Sequence, residues 1–136
     1  MDLGTSMLVA ASGMRAQSSR MRTIAENIAN ANSTSPVPGG EPYRRKVATI
    51  TSGFDEQLNA TTVQAGKPMP DMSAFRTQFD PGNPVADAKG YVKLPNVNSL
   101  VEIMDMREAQ ASYEANLNVL DASKTMMSRT IDLLTK

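Results

Sequence analysis

All eight prolines of this 136-residue chain lie between Pro36 and Pro95. Inside a helix, proline removes a backbone donor and costs about 3 kcal/mol. Long helices are therefore allowed at both ends of the chain and opposed between them. Six of the eight glycines, from Gly39 to Gly90, fall in the same middle stretch and mark it as turns and loops. The expected plan is helix, irregular middle, helix, with segments 1–32, 33–97 and 98–136 forming one structural domain. At 14.6 kDa the chain has material for one modest domain, not two.

Both proline-free flanks carry a heptad. Met7, Met14, Met21 and Ile28 are seven apart, interleaved with Leu3, Ala10, Gln17, Ile24 and Ala31. Toward the other end, Met106, Tyr113, Leu120, Met127 and Leu134 interleave with Ile103, Gln110, Leu117, Lys124 and Ile131. All but three of these nineteen positions are apolar, the patterning of a coiled-coil seam rather than of a loosely amphipathic helix. Gln17 is the first exception; Gln110 and Lys124 are polar exceptions of the kind that set register and partner choice. Tyr113 fits as a seam filler with its hydroxyl at the edge. Gly4 and Gly13 weaken the first helix by up to about 1 kcal/mol each relative to Ala. Ser99 and Glu102 have the spacing of a capping box, placing the second helix start at Ser99. The expected fold is mainly α: long N- and C-terminal helices packed as an antiparallel coiled-coil-like pair, around a Pro/Gly-rich irregular middle with a few short β-strands.

The faces away from the seams are unusual for solvated helices. Between Leu3 and Ala31 the charged side chains are Arg15, Arg20, Arg22 and Glu26, and most of the remaining off-seam surface is Ala, Ser, Gly, Asn and Thr. The second helix is similar midway, at Ala109, Ala111, Ser112, Ala115, Asn116, Asn118, Ala122 and Ser123. A solvated helix carries charged i to i+4 pairs, whereas small residues let other backbones approach. Both helices read as enclosed on several sides, which an isolated hairpin does not provide. Three Phe, three Tyr and ten Met also make a thin core for a free-standing globule. These features favour an assembly over a monomeric hairpin.

In the middle, Phe75 to Phe79 and Gly90 to Leu94 alternate as short strands, with a strong turn signal at Asp80-Pro81-Gly82-Asn83-Pro84 between them. The chemistry on offer is sparse. The chain has no Cys and no His, which removes thiol nucleophiles, imidazole-based triads and the usual zinc ligands. Asp55 with Glu56, and Asp80 with Asp87, are the available carboxylate pairs, and Gly39-Gly40 runs into Glu41-Pro42 without the Lys of a phosphate loop. An enzyme is not expected, nor any cofactor or metal. Fourteen basic and fourteen acidic residues cancel, so nucleic acid is not an expected partner. Arg44-Arg45-Lys46 is the one basic cluster and reads as a solvated or subunit-facing patch. The longest early apolar run, Met7 to Ala11, is too short for a membrane span or a secretory core, and the first ionisable side chain is the acidic Asp2. Neither direct membrane insertion nor a cleaved signal is expected.

Several motifs then carry a resemblance. The run from Asp80-Pro81-Gly82-Asn83-Pro84 through Gly90-Tyr91 to Val97 resembles the segment before the last helix of flagellar basal-body rod proteins of the proximal-rod type. Tyr113-Glu114-Ala115-Asn116 and Lys124-Thr125-Met126-Met127 resemble that group's C-terminal helix. Asn27-Ile28-Ala29-Asn30-Ala31, followed by Pro42-Tyr43-Arg44-Arg45, resembles its N-terminal motif. The resemblance implies a structural subunit of the proximal rod, polymerising through its terminal helices into a hollow driveshaft that transmits motor torque and encloses an export channel. It implies that Asn27, Asn30, Tyr43, Arg44, Arg45, Pro81, Gly82, Asn83, Pro84, Gly90, Tyr91 and Asn116 are motif or subunit-contact residues. The implied partners are copies of the chain, neighbouring proximal and distal rod proteins, a membrane-ring side adaptor, and the flagellar type III export apparatus in transit. The implied location is the periplasm-spanning rod of the basal body, reached without a cleaved signal peptide. The competing classes are a helical hairpin serving as an export chaperone or adaptor, and an enzyme relying on Asp and Glu alone.

Overall fold

A computed structural model describes residues 2–135. In chain order the elements are α1 (Leu3–Ala29), β1 (Lys46–Val47), β2 (Ile50–Asp55), β3 (Ala60–Ala65), β4 (Met69–Pro70), β5 (Arg76–Phe79), β6 (Tyr91–Leu94) and α2 (Ser99–Leu134). The helices contribute 27 and 36 residues, just under half of the chain. The expectation of a mainly α fold therefore holds only in part, because three antiparallel strand pairs, β1–β4, β2–β3 and β5–β6, organise the middle.

Both helices start on a side-chain cap. The Asp2 carboxylate accepts the Thr5 N–H at 2.6 Å, and its carbonyl accepts the Ser6 N–H. Asn98 Oδ1 accepts the Leu100 N–H at 3.1 Å, and its carbonyl receives the Glu102 N–H. The expected Ser99–Glu102 capping box is thus corrected: Asn98 is the cap, and Glu102 turns inward to a different partner.

The chain divides into two compact units. The first contains the residues up to Met21, Thr49–Lys67 and those from Arg107 onward. Here the two helix segments run antiparallel, with the Asn116 side chain against Gly13 and Arg20 Nη2 paired to Glu108 Oε2 at 3.2 Å. Buried Ala10, Ala16, Ala60 and Ala109 form its core, so small residues rather than large ones line the contact. The β2–β3 hairpin turns on Asp55, whose Oδ1 accepts the N–H groups of Gln57 and Leu58, and on Asn59 at φ +47°. On the β3 side, the Val63 N–H reaches Ser12 Oγ of α1 at 3.3 Å.

The second unit comprises Arg22–Ala48 and Pro68–Met106. Ile24, Ala31, Val92 and Val97 are its buried apolar residues. The two expected strands form the β5–β6 pair, Phe79 facing Tyr91 and Arg76 facing Leu94. The intervening turn is built as its sequence suggests. Asn83 Oδ1 accepts the Val85 N–H, Asp87 Oδ1 accepts the N–H groups of Lys89 and Tyr91, and Gly90 takes φ +83°. The Arg76 guanidinium ties the pair down, donating to the carbonyls of Pro95 and Ala31 at 3.0 and 2.8 Å.

The expected seams fare differently on the two helices. On α1, Ala10 and Ile24 are buried, as is Ala31 just past its end, and Leu3, Met7, Met14, Gln17, Met21 and Ile28 are half-buried. On α2 the inward row is displaced. Met106, Tyr113 and Leu120 are half-buried, but Ile103, Gln110, Leu117, Lys124, Met127, Ile131 and Leu134 are exposed. Their place is taken by Glu102, Ala109 and Ser123, which are buried, and by Asn116 against Gly13. The reason is size: Gly13 and the alanines of α1 admit a row of small side chains at close approach, and this turns the larger row outward.

Candidate functional site

The most elaborate polar arrangement lies in the second unit, where the end of α1, the start of α2 and the residues around β1 meet. Asn27, 1 % exposed, satisfies its whole amide. Its Nδ2 donates to the Lys46 carbonyl at 2.8 Å and to Glu102 Oε2 at 3.0 Å. Its Oδ1 accepts the Tyr43 hydroxyl and the Lys46 N–H, both at 2.9 Å. Glu102 is fully buried and takes its second bond from Arg45 Nε. The Arg45 guanidinium also reaches Asp71 Oδ2 at 3.4 Å and Asp105 Oδ2 at 3.7 Å. Asn96 completes the arrangement: its Oδ1 accepts the Arg45 N–H, and its Nδ2 donates to the carbonyls of Asp71 and Ser73.

The electrostatics follow from this geometry. Burial alone lowers the Arg45 pKa, but the hydrogen bond and charge of Glu102, joined by Asp71, raise it above its ordinary value. Burial pushes the Tyr43 phenol up, with Glu26 and Glu102 adding to the shift and Lys46 opposing it. The Lys46 ammonium, 3.0 Å from Glu26 Oε2, is raised by that bond and charge. Asp71 is held below its usual range, chiefly by the Ser73 N–H at 2.9 Å and further by Arg45. The buried Glu102 carboxylate, bonded to Asn27 and Arg45, ties the start of α2 to the end of α1.

Each member of the basic cluster has a partner within the chain, while Lys46 stays exposed. Arg45 faces three carboxylates, Lys46 pairs with Glu26, and Arg44 donates to the carbonyls of Asp71 and Ser73 with its guanidinium 4.2 Å from the Phe75 ring centre. The candidate carboxylate pairs are turn builders as well: Asp55 and Asp87 each accept two backbone N–H groups, and Asp80 Oδ2 accepts from Asn83.

Of the other motif residues, Asn30 Nδ2 donates to the Glu26 carbonyl at the end of α1. Pro81, Gly82 and Pro84 sit exposed in the β5–β6 turn with half-buried Asn83. Tyr91 meets Phe79 edge to face at 5.2 Å between ring centres. Asn116 donates to the Ser112 carbonyl. The structure thus gathers Asn27, Tyr43 and Arg45 into one brace and leaves the 81–84 turn, Asn30 and Asn116 outside it. Glu102, Asp71 and Asn96 belong to the brace and were missed. The available signal was the row Glu102, Ala109, Asn116 and Ser123, spaced seven apart, whose small members mark the inner face.

A second feature is the apolar surface of α2. Leu100, Ile103, Met104, Leu117, Met127, Ile131 and Leu134 are exposed, Leu134 to 81 %. Beyond Ser123 every described residue of the helix is exposed. Among the described residues no helix is long and apolar enough to cross a membrane.

Residues 7–35 match the family model described as flagella basal body rod protein, and residues 88–133 match flagellar basal body rod FlgEFG protein C-terminal. The chain is 47 % identical over 132 residues to the flagellar basal-body rod protein FlgC of Agrobacterium fabrum, covering 97 % of this chain and 95 % of the relative. Identity to FlgC of Yersinia enterocolitica is 38 % over 125 residues, covering 92 % of each chain. With FlgC of Bacillus subtilis it is 35 % over 143 residues, covering 94 % of this chain and 95 % of that one. The internally braced helix ends, the exposed apolar helix and these similarities agree: the chain belongs to the FlgC family of flagellar basal-body rod proteins and is a structural component of the flagellar basal body.

Proposed function

We propose that the chain is a subunit of the proximal rod, polymerising through its terminal helices into the hollow shaft that transmits motor torque and encloses the export channel. The observation that carries this reading is the apolar outer row of α2, exposed at Ile103, Leu117, Met127, Ile131 and Leu134. In an isolated chain that row has no apolar cover. In a tube wall it becomes the contact between neighbours, each Å² of apolar surface buried contributing roughly 25 cal/mol. Torque is then carried by many modest contacts summed over a large area.

The partners in this reading are other copies of the chain and the adjoining proximal and distal rod proteins, with an adaptor on the membrane-ring side. The subunit reaches the periplasm-spanning rod through the flagellar type III export apparatus, without a cleaved signal peptide. The fully bonded Asn27–Arg45–Glu102 brace then serves folding after transit, reassembling the helix ends in one geometry. The terminal seams, the 81–84 turn and Asn116 are the proposed packing positions.

The test is Ile131→Asp in a strain lacking the native chain. Ile131 is exposed, so the variant should melt like the parent yet fail to restore swimming. Normal swimming with that charge in place would contradict packing through the outer row of α2.

A further inference from the structure

Each strand pair has two outer edges, and the hydrogen bonds show which are closed. The Gly66 N–H donates to the Thr49 carbonyl at 2.9 Å, which sets the alternation of the β2–β3 ladder. Ile50, Ser52 and Phe54 consequently direct their backbone N–H and C=O groups away from β3. On the opposite edge Val63 does the same and is met by Ser12 Oγ. In the β5–β6 pair the Asp80 N–H donates to the Gly90 carbonyl at 2.9 Å, so Thr77 and Phe79 point their backbone groups outward. The other edge is closed at Tyr91, whose N–H and C=O both bond Asp87. Among the described residues, the outward backbone groups of β2 and of β5 meet no partner, whereas the facing edges of β3 and β6 are each engaged at their middle or first residue.

Neither edge carries Lys, Pro or a bulge, features that blunt natural edges. Each instead displays an exposed phenylalanine, Phe54 at 63 % and Phe79 at 62 %.

We propose that β2 of one copy pairs antiparallel with β5 of the next copy, forming a continuous ladder between subunits. One register satisfies every feature: Ser52 opposite Phe79, Gly53 opposite Gln78, Phe54 opposite Thr77 and Asp55 opposite Arg76. The outward backbone groups of Ser52 and Phe54 then meet those of Phe79 and Thr77. The two phenylalanines become diagonal neighbours on one face, within aromatic reach, and the Asp55 carboxylate faces the Arg76 guanidinium. Gln78 lies beside Gly53, where a side chain would have nothing within 4 Å, and where Thr51, Asp55, Thr62 and Gln64 surround a hollow. Because two different edges are joined, the contact does not close as a two-fold dimer and can repeat from copy to copy, as a filament requires.

The pairing rests on the polymer function proposed above, and a disulfide test separates the two. The chain has no cysteine, so Gly53→Cys and Gln78→Cys can be introduced on separate, size-tagged chains. Both sites are exposed and Gly53 has room for a side chain, so the folds are expected to survive. In the stated register the two positions are a non-hydrogen-bonded pair with Cα atoms about 4.5 Å apart, within disulfide range. Mixed at assembling concentrations under mild oxidant, the two chains should give a mixed disulfide well above both homodisulfides. Larger species that form without the mixed disulfide, or with it no more abundant than the Gly53→Cys homodisulfide, overturn the strand pairing and leave helix-driven assembly standing. Chains that remain monomeric at every concentration overturn the pairing and the polymer together.

Discussion

Glu102 shows how much one buried side chain can carry. It is fully enclosed and bonded to Arg45 and Asn27. Glu102→Ala leaves the guanidinium without its main partner and should lower unfolding free energy by about 3–5 kcal/mol in a urea titration. A loss below about 1 kcal/mol would show that Asp71 and Asp105 suffice to hold Arg45. Gly90→Ala forces a Cβ onto a residue at φ +83°, within 3.0 Å of the Phe79 ring and 3.1 Å of Pro81. It should cost about 1–2 kcal/mol, read from the same titration. The carboxylates of Asp2, Asp71 and Asp87 are held below their ordinary value of 3.8, each first by a backbone N–H, from Thr5, Ser73 and Tyr91. A depressed folded pKa means the stabilisation is present above the ordinary value and disappears as pH falls through the folded values. Tm should therefore hold from about pH 8 to about pH 5 and fall below about pH 4. A Tm constant into stronger acid would contradict these bonds. Little of this was legible in the sequence. Glu102 occupies a position where a capping box is the local reading, and its true partners lie 57 and 75 residues away in the chain.

At the scale of elements, the helix pair is set by small residues. A Cβ on Gly13 would lie 2.8 Å from the Asn116 amide, so the glycine that weakens α1 in isolation admits α2 at close range. Gly13→Leu should push the helices apart and cost about 1–3 kcal/mol by thermal melt, and adding Asn116→Ala should recover part of the loss. Equal stability in all three chains would remove this contact from the pairing. The heptads correctly announced two terminal helices, and the Phe75 and Gly90 runs announced β5 and β6. The displaced row on α2 was not legible because a seam search weighs large apolar residues, while this contact selects small ones. The β2–β3 hairpin escaped notice for another reason. Its strands hold three Thr but only one Ile, one Val and one Phe among small and polar residues, so no hydrophobic alternation marks them.

At the scale of the whole molecule, the exposed apolar residues of α2 and the neutral, small-residue surfaces make sense when other copies cover them. Contrasting charges separate internal from external packing. Leu120→Asp, at a half-buried position beside Met14 and Tyr113, should lower the melting temperature and abolish swimming, whereas Ile131→Asp should affect swimming alone. The most direct test of the polymer function is a concentration series on the purified chain, followed by sedimentation and far-UV circular dichroism. Larger species should accumulate as concentration rises, and Ile131→Asp should stay monomeric throughout. A helical monomer with one sharp thermal transition, unchanged at every concentration, would contradict assembly through the terminal helices and point instead to an autonomous hairpin.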